Sequence, residues 1–204
     1  MMALLLCVTS DASAVVVDGI NSAGEWVAGL LINGFDPNEA AIPDGYDISR
    51  VAMQSDALGL YVLIELYGVP TFTSLDTLPP LDPVFYATGL DLNSDGDFTD
   101  LGDRIFDFRA SGFTVFDGSG SVVAGAPSAV KSSGVEYFIP AGMFSSFPLG
   151  GFNTFSLLDN AGAPPDDRIP DSGFHTTIPE PTSMILFGTG LLGALGFRRK
   201  RNAA

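Results

Sequence analysis

Residues 51–69, VAMQSDALGLYVLIELYGV, decide the fold class. The run 60–67 is rich in branched and aromatic side chains, lies between Gly59 and Gly68, and follows a turn signal over 55–59. That pattern predicts a buried strand entered from a turn. Working outward, residues 84–92, 104–109, 113–116, 121–124, 135–139 and 152–158 read as further short strands between Gly, Ser, Asp and Pro clusters. The 24 Gly and 14 Pro, scattered between short apolar runs, favour turns and strands over long helices. The expected architecture is all-β, an antiparallel β-sandwich of jelly-roll or immunoglobulin-like type, with a hydrophobic helix at the C-terminus.

At 204 residues the chain accommodates one ordinary domain plus processing segments. Hydrophobic residues make up 46%, and 16 Phe supply large burial areas, so the chain folds in spite of its acidity. The formal charge is −15, but Arg198, Arg199, Lys200 and Arg201 supply four of the nine cations, leaving five against 24 acids in the remainder. Phosphate backbones repel such a body, which excludes nucleic acid as a partner and favours divalent cations and neutral or cationic surfaces. The single cysteine, Cys7, lies in an N-terminal stretch expected to be removed. Removal leaves no thiol for a disulfide, a metal site or a nucleophile.

Both ends read as processing signals. Residues 1–14, MMALLLCVTSDASA, combine an apolar run over 3–8 with the small residues Ala12, Ser13 and Ala14, the shape of a signal-peptidase site. No basic residue precedes the run, so a truncated signal peptide is expected, with a plain first strand as the competing reading. Residues 184–197 are apolar or small; counted from Thr182 the stretch is 16 residues before Arg198. Crossing a bilayer core takes about 20, so this is a short transmembrane helix, its basic cluster held on the cytoplasmic side. The competing reading is a buried C-terminal helix with a frayed basic tail.

Pro179-Glu180-Pro181, then a short apolar segment, then Arg198, Arg199, Lys200 and Arg201, resembles the PEP-CTERM sorting signal of Gram-negative bacteria. The resemblance implies recognition of the tripeptide by an exosortase, a membrane cysteine transpeptidase. It also implies export, anchoring in the inner membrane before processing, and then attachment to the cell surface or extracellular matrix. A second resemblance concerns the body. Asp18-Gly19 and Glu25-Trp26, then Asp56, Gly59-Leu60-Tyr61-Val62 and Glu136-Tyr137-Phe138-Ile139-Pro140, are similar in order to the family-nine carbohydrate-binding-module-like group. This implies a β-sandwich over 15–160 and leaves the sugar-stacking aromatics unplaced. Trp26 could stack on a sugar or serve as core, and Phe72, Phe85, Tyr86 and Phe113 are the other aromatic candidates.

The expected layout is therefore a signal peptide over 1–14, the sandwich over 15–160, a linker over 161–178 and the sorting signal over 179–204. In the linker, Pro164, Pro165 and Pro170 mark the boundary, and Asp166-Asp167-Arg168 is expected as a turn with a surface ion pair.

The most chemically pointed stretch is DLNSDGDFTDLGD, residues 91–103. Asp91, Asn93, Asp95 and Asp97 alternate with other residues, and Gly96 stands where a calcium loop turns sharply. Alternating oxygens suit a hard cation, because each reaches one centre while intervening side chains point away. Gly102 occupies the position of the closing glutamate, so Asp100 or Asp103 would complete a structural Ca2+ shell. The competing reading is a solvated hairpin loop using Asp, Asn and Gly for turn chemistry.

Catalysis has little support. The only histidine, His175, falls in the linker, away from any serine or metal partner. A carboxylate pair could run glycoside hydrolysis, yet among 24 acids no pair stands out. The leading expectation is a non-catalytic, calcium-stabilised surface or matrix protein associated with exopolysaccharide and biofilm. The alternatives are a carbohydrate-binding module, which would contact polysaccharide, and a secreted glycoside hydrolase.

Overall fold

A computed structural model describes residues 15, 17–20, 26, 30–73, 84–147, 149–159 and 167–176. The signal peptide, the sorting tripeptide, the basic cluster and the expected C-terminal helix lie outside the described residues. Among the described residues no helix is long and apolar enough to cross a membrane.

The strands in chain order are β1 (Leu30–Phe35), β2 (Ile48–Ser55), β3 (Gly59–Leu66), β4 (Phe85–Asp91), β5 (Arg104–Arg109), β6 (Gly112–Asp117), β7 (Ser128–Lys131), β8 (Gly134–Pro140), β9 (Asn153–Asp159), β10 (Asp167–Ile169) and β11 (His175–Thr176). A 3₁₀ turn over Ala141–Met143 follows β8. One sheet has the order β1-β2-β3-β8-β7 and the other β10-β9-β4-β5-β6, with β11 also paired to β9. Every pairing is antiparallel. The result is the expected sandwich of two antiparallel sheets.

The strand expected over 60–67 is β3, and the turn before it joins it to β2 in a hairpin. Asp56 closes it by accepting the Leu58 N–H at 2.7 Å and the Gly59 N–H at 3.2 Å through Oδ1, an Asp-led turn of the usual kind. Gly59 then lets β3 approach β8 closely, since a Cβ there would lie 2.2 Å from the Ile139 carbonyl oxygen. Leu60, Val62, Ile64 and Leu66 face the second sheet, where Tyr86, Leu90, Phe106, Phe108 and Leu158 meet them. Tyr61 and Leu63 point the other way, yet they are buried too, because Val15 and Trp26 cover the outer face of β2 and β3. A strand covered on both faces has no reason to alternate, which is why β3 reads as a continuous apolar run.

Glu136 fastens that cover. Its Oε2 accepts the N–H groups of Asp18 (2.8 Å) and Gly19 (2.7 Å), and its Oε1 accepts the Trp26 indole N–H (3.1 Å). The carboxylate is fully buried, and ionic acceptors with several N–H partners are the arrangement in which such burial is tolerated.

Three expectations need correcting. Residues 121–124 do not form a strand; the chain only runs beside β6, with a single bridge between Phe116 and Val122. The span expected to be a linker instead contributes β10 and β11, so the sandwich continues through Thr176. Asp167 is 5% exposed and part of β10, so it makes no surface ion pair. His175, placed by sequence in a linker, sits on β11 opposite Thr154 and packs against Gly34 of β1, where a Cβ would come within 2.3 Å of its Nε2.

Candidate functional site

The acidic stretch connects β4 to β5, and its two ends are buried. Asp91 Oδ1 accepts the Ser94 N–H at 2.6 Å, and its Oδ2 accepts the Gly96 N–H at 2.9 Å and the Asn153 side-chain amide at 2.8 Å. Asp103 Oδ1 accepts the Leu92 N–H at 2.9 Å and Oδ2 the Asp100 N–H at 3.0 Å. These bonds pin the loop at both feet. Arg104, 7% exposed, holds it from below by donating to the carbonyls of Leu101, Gly102 and Asp103, and to that of Met143.

Between the feet, side-chain oxygens accept N–H groups two residues on: Asn93 from Asp95 (3.0 Å), Asp95 from Asp97 (3.1 Å), and Asp97 from Thr99 (2.9 Å). The alternation seen in sequence is thus a series of Asx turns, with positive φ at Ser94 (61°) and Gly96 (97°). The Asn93 amide donates to Asp95 Oδ2 at 2.9 Å and to Asp100 Oδ2 at 2.5 Å, bridging two carboxylates. The Thr99 N–H and hydroxyl hold the exposed Asp97 carboxyl below its ordinary range. Burial raises Asp103, partly offset by its N–H donors.

The structure therefore gathers Asn93, Asp95, Asp97 and Asp100 on one exposed loop and sets Asp91 and Asp103 at its base. Among the described residues, no three Asp, Glu, His or Cys side chains are gathered at metal-ligand geometry. The donor chemistry still fits a hard cation, since every side-chain ligand in the loop is an oxygen.

The aromatic candidates separate by strand parity. Tyr86 is fully buried, Phe72 meets Tyr86 and Phe108 edge-on at 5.6 and 5.1 Å, and Phe113 stacks on Tyr137 at 4.9 Å. Phe85, one residue from Tyr86, faces outward beneath Arg109, whose guanidinium lies 4.4 Å from the ring centroid and pairs with Asp107 at 2.8 Å. Trp26 is 1% exposed. Sequence reasoning missed two groups. Phe98, Phe155 and Phe174 cluster at 4.8 and 5.1 Å, with Arg168 4.7 Å from the Phe155 ring. Phe35 and Tyr67, 69% and 42% exposed, stand at the ends of β1 and β3. The alternation of β1 from Ile32, buried, to Phe35, exposed, was the available signal for Phe35.

Residues 177–201 match the PEP-CTERM protein-sorting motif. The chain thus carries this signal at its C-terminus, and the motif implies export, exosortase processing and sorting to the cell surface. No curated protein matches the chain. Among solved structures, the body is similar to a carbohydrate binding module family 9 from Caldicellulosiruptor kristjanssonii, solved in complex with cellotriose. The two share 18% identity with a TM-score of 0.46 over 72% of each chain.

Proposed function

We propose that the protein is a non-catalytic β-sandwich, exported and processed by an exosortase, that works on the cell surface or in the extracellular matrix among exopolysaccharide. The sorting motif over residues 177–201 carries this reading. Its test is the full chain expressed in an exosortase-bearing host beside a variant with Pro179, Glu180 and Pro181 replaced by Ala. The intact signal should give a shortened product in the surface fraction and the variant an unprocessed product in the inner membrane. Equal processing of both would sink the reading.

In this reading the 91–103 loop takes Ca2+ as a structural ligand, with Asn93 turning its oxygen toward an ion shared with Asp95, Asp97 and Asp100. Like charges on one loop are relieved by a counter-ion, which turn chemistry alone does not supply. Calorimetric unfolding with calcium and with chelator, repeated on Asp95→Ala, tests it. A calcium-dependent rise in midpoint that Asp95→Ala abolishes supports the site, and the same rise in both proteins removes it.

One perturbed carboxylate is committed to the fold. Asp167, raised to about 6 chiefly by burial, engages both oxygens with the N–H groups of Ile48 and Arg168, so it is not poised to transfer a proton. A second reading, sugar binding, is favoured by the exposed rings of Phe35 and Tyr67, since sugar recognition needs flat apolar platforms. Affinity electrophoresis through a panel of polysaccharides, with Phe35→Ala as control, decides it: retardation lost in the variant supports a binding module.

A further inference from the structure

β11 is two residues long, and a pairing that short supplies too few main-chain bonds to hold itself against β9. Side chains supply the rest. The Thr176 hydroxyl donates to Asn153 Oδ1 at 2.8 Å, and the Asn153 amide donates in turn at 2.8 Å to Oδ2 of Asp91, the buried foot of the acidic loop. Phe174, just before the strand, packs edge-on against Phe98 of the same loop, with ring centroids 5.1 Å apart. Phe98 also meets Phe155 of β9 at 4.8 Å. Both Phe98 and Phe155 rest over Gly89 of β4, where a Cβ would come within 2.9 Å of the one and 2.5 Å of the other, so a residue without a side chain leaves room for the two rings. From β10, the Arg168 guanidinium lies 4.7 Å from the Phe155 centroid and 5.4 Å from that of Phe174, and it donates to the Gly173 carbonyl at 2.9 Å.

The 91–103 loop thus grips residues 173–176, the stretch directly before the sorting motif, which begins at residue 177. That placement has a chemical consequence. An enzyme that takes a peptide as an extended chain pairs with its main-chain N–H and C=O groups. Those of β11 already pair with β9 and cannot serve both partners at once. A chain held in this way is cut through its transiently opened state, at a rate set by how often that state is populated.

We propose that Phe98 and Asn153 are positioning residues for the sorting step: they latch residues 173–176 onto the sandwich, and the chain is processed only while the latch is open. This rests on the exosortase reading above. It gives the acidic loop a task that needs no ion, since the Asx turns and the buried feet hold Phe98 against Phe174. Phe98 and Asn153 are far in sequence from Pro179, so neither belongs to the stretch that an enzyme would grip.

The test uses the full chain, in an exosortase-bearing host for processing and in nonionic detergent for amide hydrogen exchange over 173–176. Phe98→Ala removes the ring contacts to Phe155 and Phe174, each a few-fold effect on the open population. Exchange and the rate at which shortened product forms should both rise about tenfold. Asn153→Ala breaks the relay from Thr176 to Asp91 and should raise both about fivefold. Phe98→Tyr, which retains the ring, should stay within about twofold of wild type. Gly59→Ala weakens the sandwich away from the latch and should change neither rate, which separates latching from a general loss of stability. Equal acceleration in Gly59→Ala overturns the proposal. So does slower processing in Phe98→Ala, because the enzyme would then require the docked strand. A wild type that is never shortened sinks the exosortase reading and this proposal together, whereas a shortened wild type whose rate Phe98→Ala leaves unchanged sinks the proposal alone.

Discussion

Glu136→Ala is the perturbation that most directly tests how the N-terminal cover is held. The substitution removes the acceptor of three N–H groups, those of Asp18, Gly19 and the Trp26 indole. A hydrogen bond to a charged group contributes about 1.5–3 kcal/mol net. The low end applies here, because the Asp18 N–H is only part-buried and regains water when the segment lifts. Three bonds at about 1.5 kcal/mol give a loss of about 4–5 kcal/mol. Urea unfolding measures it, and Trp26, the single tryptophan, reports the mechanism. It is 1% exposed in the native fold, so release of the cover should shift its emission to the red before global unfolding. Glu136→Gln should fall between, since one amide oxygen can serve the Asp18 and Gly19 pair while its NH2 opposes the indole N–H. A loss under about 1 kcal/mol with unshifted emission in Glu136→Ala would refute the reasoning, because bonds of this class would then contribute nothing.

Arg104→Met removes the donor to four carbonyls and should cost about 3 kcal/mol, with limited proteolysis showing faster cutting within 92–103. Gly59→Ala should cost about 1–3 kcal/mol, since its Cβ would meet the Ile139 oxygen at 2.2 Å; midpoint shifts in urea measure this. Burial depresses the folded-state pKa of His175, so its contribution is complete above the unfolded value of about 6.5 and is lost as the pH falls through the folded value. Stability profiles between pH 5 and 7.5 should show this loss in the wild type and a flatter course in His175→Gln.

The strand β3 was legible because two signals agreed there, a turn over 55–59 and an apolar run between glycines, whereas β2, its hairpin partner, was not expected. The strands β4, β5, β8 and β9 were legible for similar reasons. Strands β10 and β11 were not, being three and two residues long, too short for any period to register. Residues 121–124 misled because Val122 and Val123 satisfy local strand preference, while their only partners in β6 are the Phe116 bridge and the Val115 carbonyl, which accepts the Val123 N–H at 2.8 Å. In the candidate loop, spacing announced Asp91, Asn93, Asp95 and Asp97, because Asx turns and metal loops share the same alternation. The buried acids Asp36, Asp47 and Asp167 carry no such spacing. The pairing of β1 with β2 brings Asp36 toward Asp47, and the contact of β10 with β2 adds Asp167, which no local window contains.

The pairing of β11 with β9 sets a clearance for the sorting step. Only Thr177 and Ile178 separate its last residue, Thr176, from Pro179. At about 3.3–3.6 Å per residue, even a taut leash of this length reaches only about 10 Å. Whatever grips the tripeptide must therefore work almost flush against the folded sandwich, within reach of His175. A bulky active-site rim would have to accommodate the sandwich itself or pull the two-residue strand off its neighbour first.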